Sequence, residues 1–373
     1  MPGRHPVEAA VAWVDAATQA LGPEDVPLDS ARGRVLTEDI GADRPIPERD
    51  RAALDGFAIR ASASLGASAY NPLRLRSIAT AAGDAMPTGT DAVVPLMLAE
   101  PDGAAHIEVV EAVAAGDNVQ PRGAVATVGA TLAAAGTRLA ARHIGLLASA
   151  GRLAVPVVRR PRVRILLAKP ENAAAWEDGP MIGTAVARDG GVVGACIAVE
   201  RDLTAMTAAL AEAAADIVLV IGGTGPGVDD CSAAALAAAG EVAIHGVALQ
   251  PGETAGLGRT AGGVPVVLLP GVPAACLWSY ELFAGRAIRR LGGRAPDLPY
   301  RSRQMITAGK IVSAIGMTEI CPVRRGAGDT VKPVPSFAEA GLMAAVAADG
   351  FVIVAAGSEG YPQGARVTAH LYE

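Results

Sequence analysis

Cysteine is scarce: only Cys196, Cys231, Cys276 and Cys321 occur in 373 residues, and no CxxC or Cys/His spacing joins them. That distribution gives no zinc framework and reads as buried free thiols. Positive charge is short as well. Lys+Arg number 32 against 38 Asp+Glu, a formal net charge of -6, so the chain has no broad electrostatic footprint for nucleic acid or an anionic membrane. Any anion site must be local. No apolar run approaches the ~18 residues of a membrane span, and Glu8 and Asp15 interrupt the stretch where a secretory signal would be uncharged. The expectation is a cytoplasmic protein. No Ser/His/Asp or Cys/His set stands out for covalent catalysis, and no repeat of solenoid period is present.

What is present is apolar residues: hydrophobic types make up 51% and charged types 19%. A chain of this length and composition buries substantial surface and divides into two or more domains. Val7, Ala10, Val11, Val14 and Leu21 recur at helical spacing before Gly22-Pro23, which predicts an amphipathic helix over 7–21. Residues 43–122, rich in Pro, Gly and short Val/Ile/Leu runs, suit a β-rich unit. A helix is expected over 141–150, ended by Gly151. Strand-like runs at 163–168, 217–221 and 264–269 then alternate with helical stretches at 203–214, 232–239 and 274–290, the first of them capped by Asp202. This alternation implies a parallel α/β sheet with ligands beyond the carboxyl ends of its strands. His245 is expected as a satisfied core histidine, and Trp278 and Phe283 as packing residues of one long helix. Past Gly292-Gly293, a helical piece at 337–347 and strands at 351–355 and 365–371 suit a small β-rich domain.

The segment Gly222-Gly223-Thr224-Gly225-Pro226-Gly227 falls between a predicted strand and helix. Small residues there let backbone N–H groups approach a phosphate near the positive end of a helix. It is no Walker loop, since Val228 stands where the lysine would follow, and its spacing is not the dinucleotide fingerprint. A tight turn is the alternative. Asp229 and Asp230 follow, suited either to a helix cap or to a site acid.

Five segments in order resemble the molybdopterin molybdenumtransferase family (molybdenum insertases, including the gephyrin E domain). Arg32-Gly33-Arg34-Val35-Leu36-Thr37-Glu38-Asp39 and Ala53-Leu54-Asp55-Gly56-Phe57-Ala58 are similar to its "GRVLAED" and "MDGYA" motifs. Residues 86–94 are similar to "P-x-GADAVV", and 135–163 match a further stretch closely. The glycine loop with Asp230, then Leu269-Pro270-Gly271-Val272-Pro273 and Glu281-Leu282-Phe283, resemble its remaining segments, "LPGNP" and "FELF" among them.

The resemblance implies a multidomain α/β plus β molecule. Its parts would be a linker domain split between 1–42 and 123–158, an inserted β-rich domain at 43–122, a three-layer α/β molybdopterin-binding domain at 159–293, and a β-rich carboxyl-terminal domain at 294–373. It also implies an elongated homodimer that takes adenylylated molybdopterin, molybdate and Mg2+ and releases AMP, with a molybdoenzyme or cofactor-biosynthesis protein as a further partner. By resemblance, Asp55, Glu171 and Asp230 are the catalytic acids, Glu171 and Asp230 the magnesium ligands. Gly222, Gly223, Thr224, Gly225, Gly227, Gln250, Pro251, Gly252, Pro270 and Gly271 would bind the pterin or nucleotide. Thr80 and Thr88 compete for the family's threonine role. Ordinary surface acids, and for Asp55 a turn carboxylate beside Gly56, are the bland readings of the same residues.

Departures from the pattern matter as much. Gln250-Pro251-Gly252-Glu253-Thr254 stands where members often read Lys-Pro-Gly-Lys-Pro, Val272 and Ala275 replace an Asn and a Ser, and Met317 replaces an Arg before Thr318-Glu319. A unit charge pair at ~4 Å is worth about 4 kcal/mol at an effective dielectric of 20, so an anionic substrate meets a different field. Three readings follow: an insertase, a pterin- or nucleotide-binding protein that hands over cofactor without catalysis, and a related enzyme on another nucleotide or pyrophosphate.

Overall fold

The computed structural model describes residues 3–169, 178–212 and 214–372. The chain divides into two compact units, Met1–Pro23 with Val158–Glu373, and Glu24–Val157.

The first unit is built on a six-stranded sheet of β1 (Arg162–Lys169), β2 (Val192–Glu200), β3 (Ile217–Ile221), β4 (Gly240–His245), β5 (Gly256–Thr260) and β6 (Pro265–Leu269) in the order β2-β1-β3-β6-β5-β4. Period-two alternation sends Val163, Ile165 and Leu167 to one face with Ile217, Leu219 and Ile221, and Leu166 and Ala168 to the other with Val218 and Val220. The first face is covered by α1 (Val7–Ala17), α2 (Asp178–Asp189), α5 (Pro273–Ser279) and α6 (Gly285–Leu291), the second by α3 (Leu203–Ala211) and α4 (Ser232–Ala239). Helices on both faces make the expected three layers. Each fully buried aliphatic side chain at these faces stabilises the fold by about 2 kcal/mol.

The sheet is not wholly parallel as expected. β2, β1, β3 and β6 run parallel, but β5 is antiparallel to β6 and β4 to β5. Only residues 261–264 join β5 to β6, which is enough for a hairpin and too little for a crossover. Both α2 and β2 escaped the sequence reading. The helix carries Gly179, Pro180 and Gly183, poor helix formers, and β2 is an edge strand with only Val199 buried. Asp202 caps α3 as expected, accepting the Ala205 N–H at 2.9 Å.

Three helices differ from expectation. The first ends at Ala17, where Thr18 is extended and its Oγ1 donates to the Val14 carbonyl at 2.7 Å. The long helix starts at Pro273 and is interrupted by a π-turn over Tyr280–Ala284. Gly341 at φ +53 splits the later one into Phe337–Ala340 and Leu342–Ala347.

Residues beyond the α/β layers close into a barrel: Thr318–Arg325, Thr330–Pro333, Arg301–Thr307, Arg366–Leu371 and Gly350–Val354 pair in sequence, and the last returns to the first. Leu249–Gln250 adds to it in parallel, with Leu249 opposite Thr318. Trp278, fully buried, stands edge-on to Phe337 and Phe351 with centroids at 5.5 and 4.4 Å, so α5 and the barrel share one core. Phe283 is buried in the same core, as expected.

In the second unit, Gly56–Ile59 lies between Ile78–Thr80 and Ala92–Pro95, and His106–Val109 between Leu73–Arg76 and Ala99–Pro101. One apolar cluster joins both sheets, and another packs the helix Ala141–Ser149 through Leu147 against Leu28, Leu36, Val155 and Val157. No helix among the described residues is long and apolar enough to cross a membrane. All four cysteines are free. Cys276 and Cys321 are buried, and burial pushes the Cys321 thiol up to about 12. Cys196, expected inside, is exposed because β2 is a sheet edge, and Cys231 is half-buried.

Candidate functional site

At the end of β3 the chain turns through Gly222 (φ +87) and Gly223 (φ +65), left-handed backbone that a residue with a Cβ adopts only under strain. Space is as tight as the dihedrals. A Cβ on Gly223 would lie 2.6 Å from Ser232 Oγ, and one on Gly271 would lie 3.2 Å from the Gly222 Cα. The Gly222 N–H donates to the Leu269 carbonyl at 2.9 Å, and the buried Ser232 hydroxyl donates to the Gly222 carbonyl at 2.8 Å. The loops after β3 and β6 are therefore in direct contact, which brings Gly222, Gly223, Pro270 and Gly271 together.

Asp230 folds back on this loop rather than capping α4. Its Oδ2 accepts the Gly227 N–H at 3.1 Å, while Cys231, the residue before α4, makes no side-chain cap bond. The other oxygen, Oδ1, lies 3.5 Å from Nη1 of Arg201. Sequence reasoning missed Arg201. It follows β2, its N–H donates to the Lys169 carbonyl at 3.0 Å, and its Nε donates to the Ala168 carbonyl at 3.2 Å. A Cβ on Gly222 would stand 3.5 Å from Arg201 Nη2, and one on Gly271 4.0 Å. One mostly buried guanidinium thus underlies the carboxyl ends of three parallel strands, β1, β3 and β6. The only hint in the sequence is its place beside the Asp202 cap.

Beside the loop a cleft of about 450 Å3 is lined by Arg4, Thr224, Gly225, Pro226, His245, Gly246, Glu253 and Thr254, a size suited to a small-molecule ligand. The hydroxyls of Thr224 and Thr254 are 2.9 Å apart and tie the glycine loop to the turn that follows Gln250. His245 is exposed on the cleft wall, not in the core as expected: it ends an edge strand, and its Nε2 meets the Thr224 carbonyl at 2.9 Å.

In that turn the Gln250–Pro251 bond is cis. Gly252 sits at φ +141 where a Cβ would lie 2.7 Å from Leu249 Cδ2, so Gln250, Pro251 and Gly252 form its base. The Glu253 Oε2 accepts the Gly252 N–H at 3.0 Å. Val272 is exposed and Ala275 is buried in α5.

The remaining predicted acids are Asp55 and Glu171. Asp55 belongs to the second compact unit, where its Oδ1 accepts the Ala82 N–H at 2.7 Å, and Gly56 beside it pairs with Thr80. Thr88 lies in the loop after that strand. Glu171 lies outside the described residues. Among the described residues no group of three or more His, Cys, Asp or Glu side chains could hold a metal ion. At the glycine loop Asp230 offers a carboxylate, which suits Mg2+ only when phosphate oxygens and water complete its shell.

Comparisons with known proteins agree over the length of the chain. The family model for the MoeA N-terminal region (domain I and II) matches residues 5–151, that described as "Probable molybdopterin binding domain" matches 175–290, and that for the MoeA C-terminal region (domain IV) matches 304–372. Molybdopterin molybdenumtransferase 2 of Mycobacterium tuberculosis is 30% identical over 336 residues, 80% of this chain and 82% of the relative. The molybdopterin molybdenumtransferase of Staphylococcus aureus is 27% identical and covers 99% of this chain and 96% of its own. The crystal structure of the molybdopterin biosynthesis MoeA protein from Pyrococcus horikosii superimposes with a TM-score of 0.77 at 26% identity, covering 99% of both chains. With these models matched in order along its length and a relative 30% identical over four fifths of it, the chain belongs to the molybdopterin molybdenumtransferase family.

Proposed function

We propose that this protein inserts molybdenum into adenylylated molybdopterin with release of AMP, as a cytoplasmic enzyme of molybdenum cofactor biosynthesis. The observation that carries the reading is the convergence of Gly222, Gly271 and Asp230 on Arg201 at the carboxyl ends of β1, β3 and β6. Backbone N–H groups of residues 223–225 and the Arg201 guanidinium form an anion site that does not depend on the lysines absent from the 250–254 turn. In the hydrolytic step a water oxygen adds to one phosphorus of the pyrophosphate link, the bridging oxygen leaves with the other, and AMP and the pterin phosphate separate. The Asp230 carboxylate is the base that accepts the water proton, and together with substrate phosphates it would hold a magnesium ion, which would neutralise developing charge. Asp55 of the partner subunit completes the cleft in a homodimer.

The test is incubation with adenylylated molybdopterin, Mg2+ and molybdate, following AMP and cofactor together. Molybdate-dependent AMP release is expected, reduced by about 100-fold or more in Asp230→Asn. Glu253 in the cleft favours a second reading, cofactor binding and handover without turnover. Pterin binding without any AMP release would establish it in place of the first.

A further inference from the structure

The cleft that holds Thr224 and Thr254 contains one cation from outside the α/β layers. Arg4 reaches it from the amino-terminal segment, which is pinned in place by backbone pairing. His5 bridges Val247 in parallel, its N–H donates to the Gly246 carbonyl at 2.9 Å, and its carbonyl accepts the Ala248 N–H at 2.8 Å. Pairing at the next residue limits where Arg4 can go. Its Nη1 lies 3.5 Å from Met317 Sδ, a weak acceptor that carries no charge. Arg4 makes no ion pair among the described residues. Glu253 lines the same cleft, but its Oε2 already accepts the Gly252 N–H. Met317 precedes Thr318, whose N–H donates to the Ala248 carbonyl at 2.8 Å, so the barrel edge, the amino-terminal segment and the 250–254 turn meet at this point.

We infer that Arg4 is a substrate-binding residue of this cleft, and that it receives a tetrahedral oxyanion, either molybdate or a phosphate of the nucleotide, between its guanidinium and the Thr224 and Thr254 hydroxyls. The inference rests on the reading above for the identity of the site, and it deepens that reading by naming a cation that reaches the site from the opposite end of the chain. The chemistry is that of a planar fork of N–H donors, which matches the edge of a tetrahedral oxyanion better than any other side chain. It also accounts for the neutral Met317 at a place where the family pattern has an arginine: the charge enters from residue 4 instead.

Titration calorimetry on the folded, full-length protein separates the two sources, with sodium molybdate in one arm and AMP in the other. Arg4→Leu is expected to weaken at least one of these ligands tenfold or more. Arg4→Leu combined with Met317→Arg is expected to restore most of that loss, which no merely structural role of Arg4 would do. Loss in the molybdate arm assigns Arg4 to the metal oxyanion and loss in the AMP arm to the nucleotide phosphate. A folded Arg4→Leu protein with both affinities unchanged, or a double variant with no recovery, overturns the inference. Neither measurement depends on turnover, so absence of AMP release in the wild type would refute the proposed activity alone.

Discussion

At Arg201 a single side chain binds three strand ends by one hydrogen bond and close approach, and its charge is only loosely matched by Asp230 at 3.5 Å. Charge-assisted bonds to phosphate are the strong ones, so Arg201→Gln should weaken AMP binding tenfold or more while leaving thermal stability within a few degrees. Calorimetry and a melting curve on the same sample decide it, and an unchanged AMP affinity would remove Arg201 from the site. The glycine loop was legible in the sequence because its composition is local and unusual. Arg201 was not, because its neighbours Ala168, Gly222 and Gly271 come from three strands up to a hundred residues apart, and β2, which places it, has no clean apolar alternation. Asp230 was found through resemblance, but its bond to the Gly227 N–H, in place of a helix cap, is a three-dimensional fact.

Among the elements, β1 and β3 are pinned at the end opposite the site by Asp216. Its carboxylate takes a bidentate pair from Arg159 at 2.7 and 2.8 Å and accepts the Arg162 N–H at 2.7 Å. Burial alone would raise the Asp216 carboxyl, but these donors hold it below the usual carboxylate range. A folded value below the unfolded one means that the carboxylate contributes stability fully above the ordinary aspartate pKa of about 3.9, and that this is lost as pH falls through the folded value. Asp216→Asn should therefore lower unfolding free energy by about 2 kcal/mol at pH 7. The gap from wild type should narrow below about pH 4, and urea melts at both pH values give the comparison. An equal gap at both would show that the carboxylate charge is not what matters. Periodicity located β1, β3 and β6 well because each is buried in the sheet centre. It overran α1, whose end at Ala17–Thr18 has no proline or glycine at the break, and it missed the π-turn at Tyr280–Ala284, because the apolar periodicity runs on through it.

For the molecule as a whole, the α/β alternation followed by a β-rich tail could be read from the sequence, while closure of the tail into a barrel could not, because the pairing of Thr318–Arg325 with Gly350–Val354 joins strands distant in sequence. The proposed homodimer predicts a particle of twice the 37.4 kDa chain mass in light scattering at micromolar concentration. A monomer would leave Asp55 without its proposed role.

The cleft also imposes an order on biosynthesis. Its walls are held by two pairings of long sequence separation, His5 with Val247 and Leu249 with Thr318. A growing chain emerges at about 5–20 residues per second, so the first residues of the protein wait many seconds on the ribosome for the partner that holds them. Even then Leu249–Gln250 has no barrel strand to pair with until Thr318 has left the exit tunnel. A ribosome-bound chain stalled before that point carries the whole glycine loop and Arg201, yet lacks the barrel edge against which Leu249–Gln250 is laid. Premature termination before Thr318 is thus predicted to leave a well-layered α/β core with a cleft that has lost one wall, a species for proteolytic clearance and not a partly active enzyme.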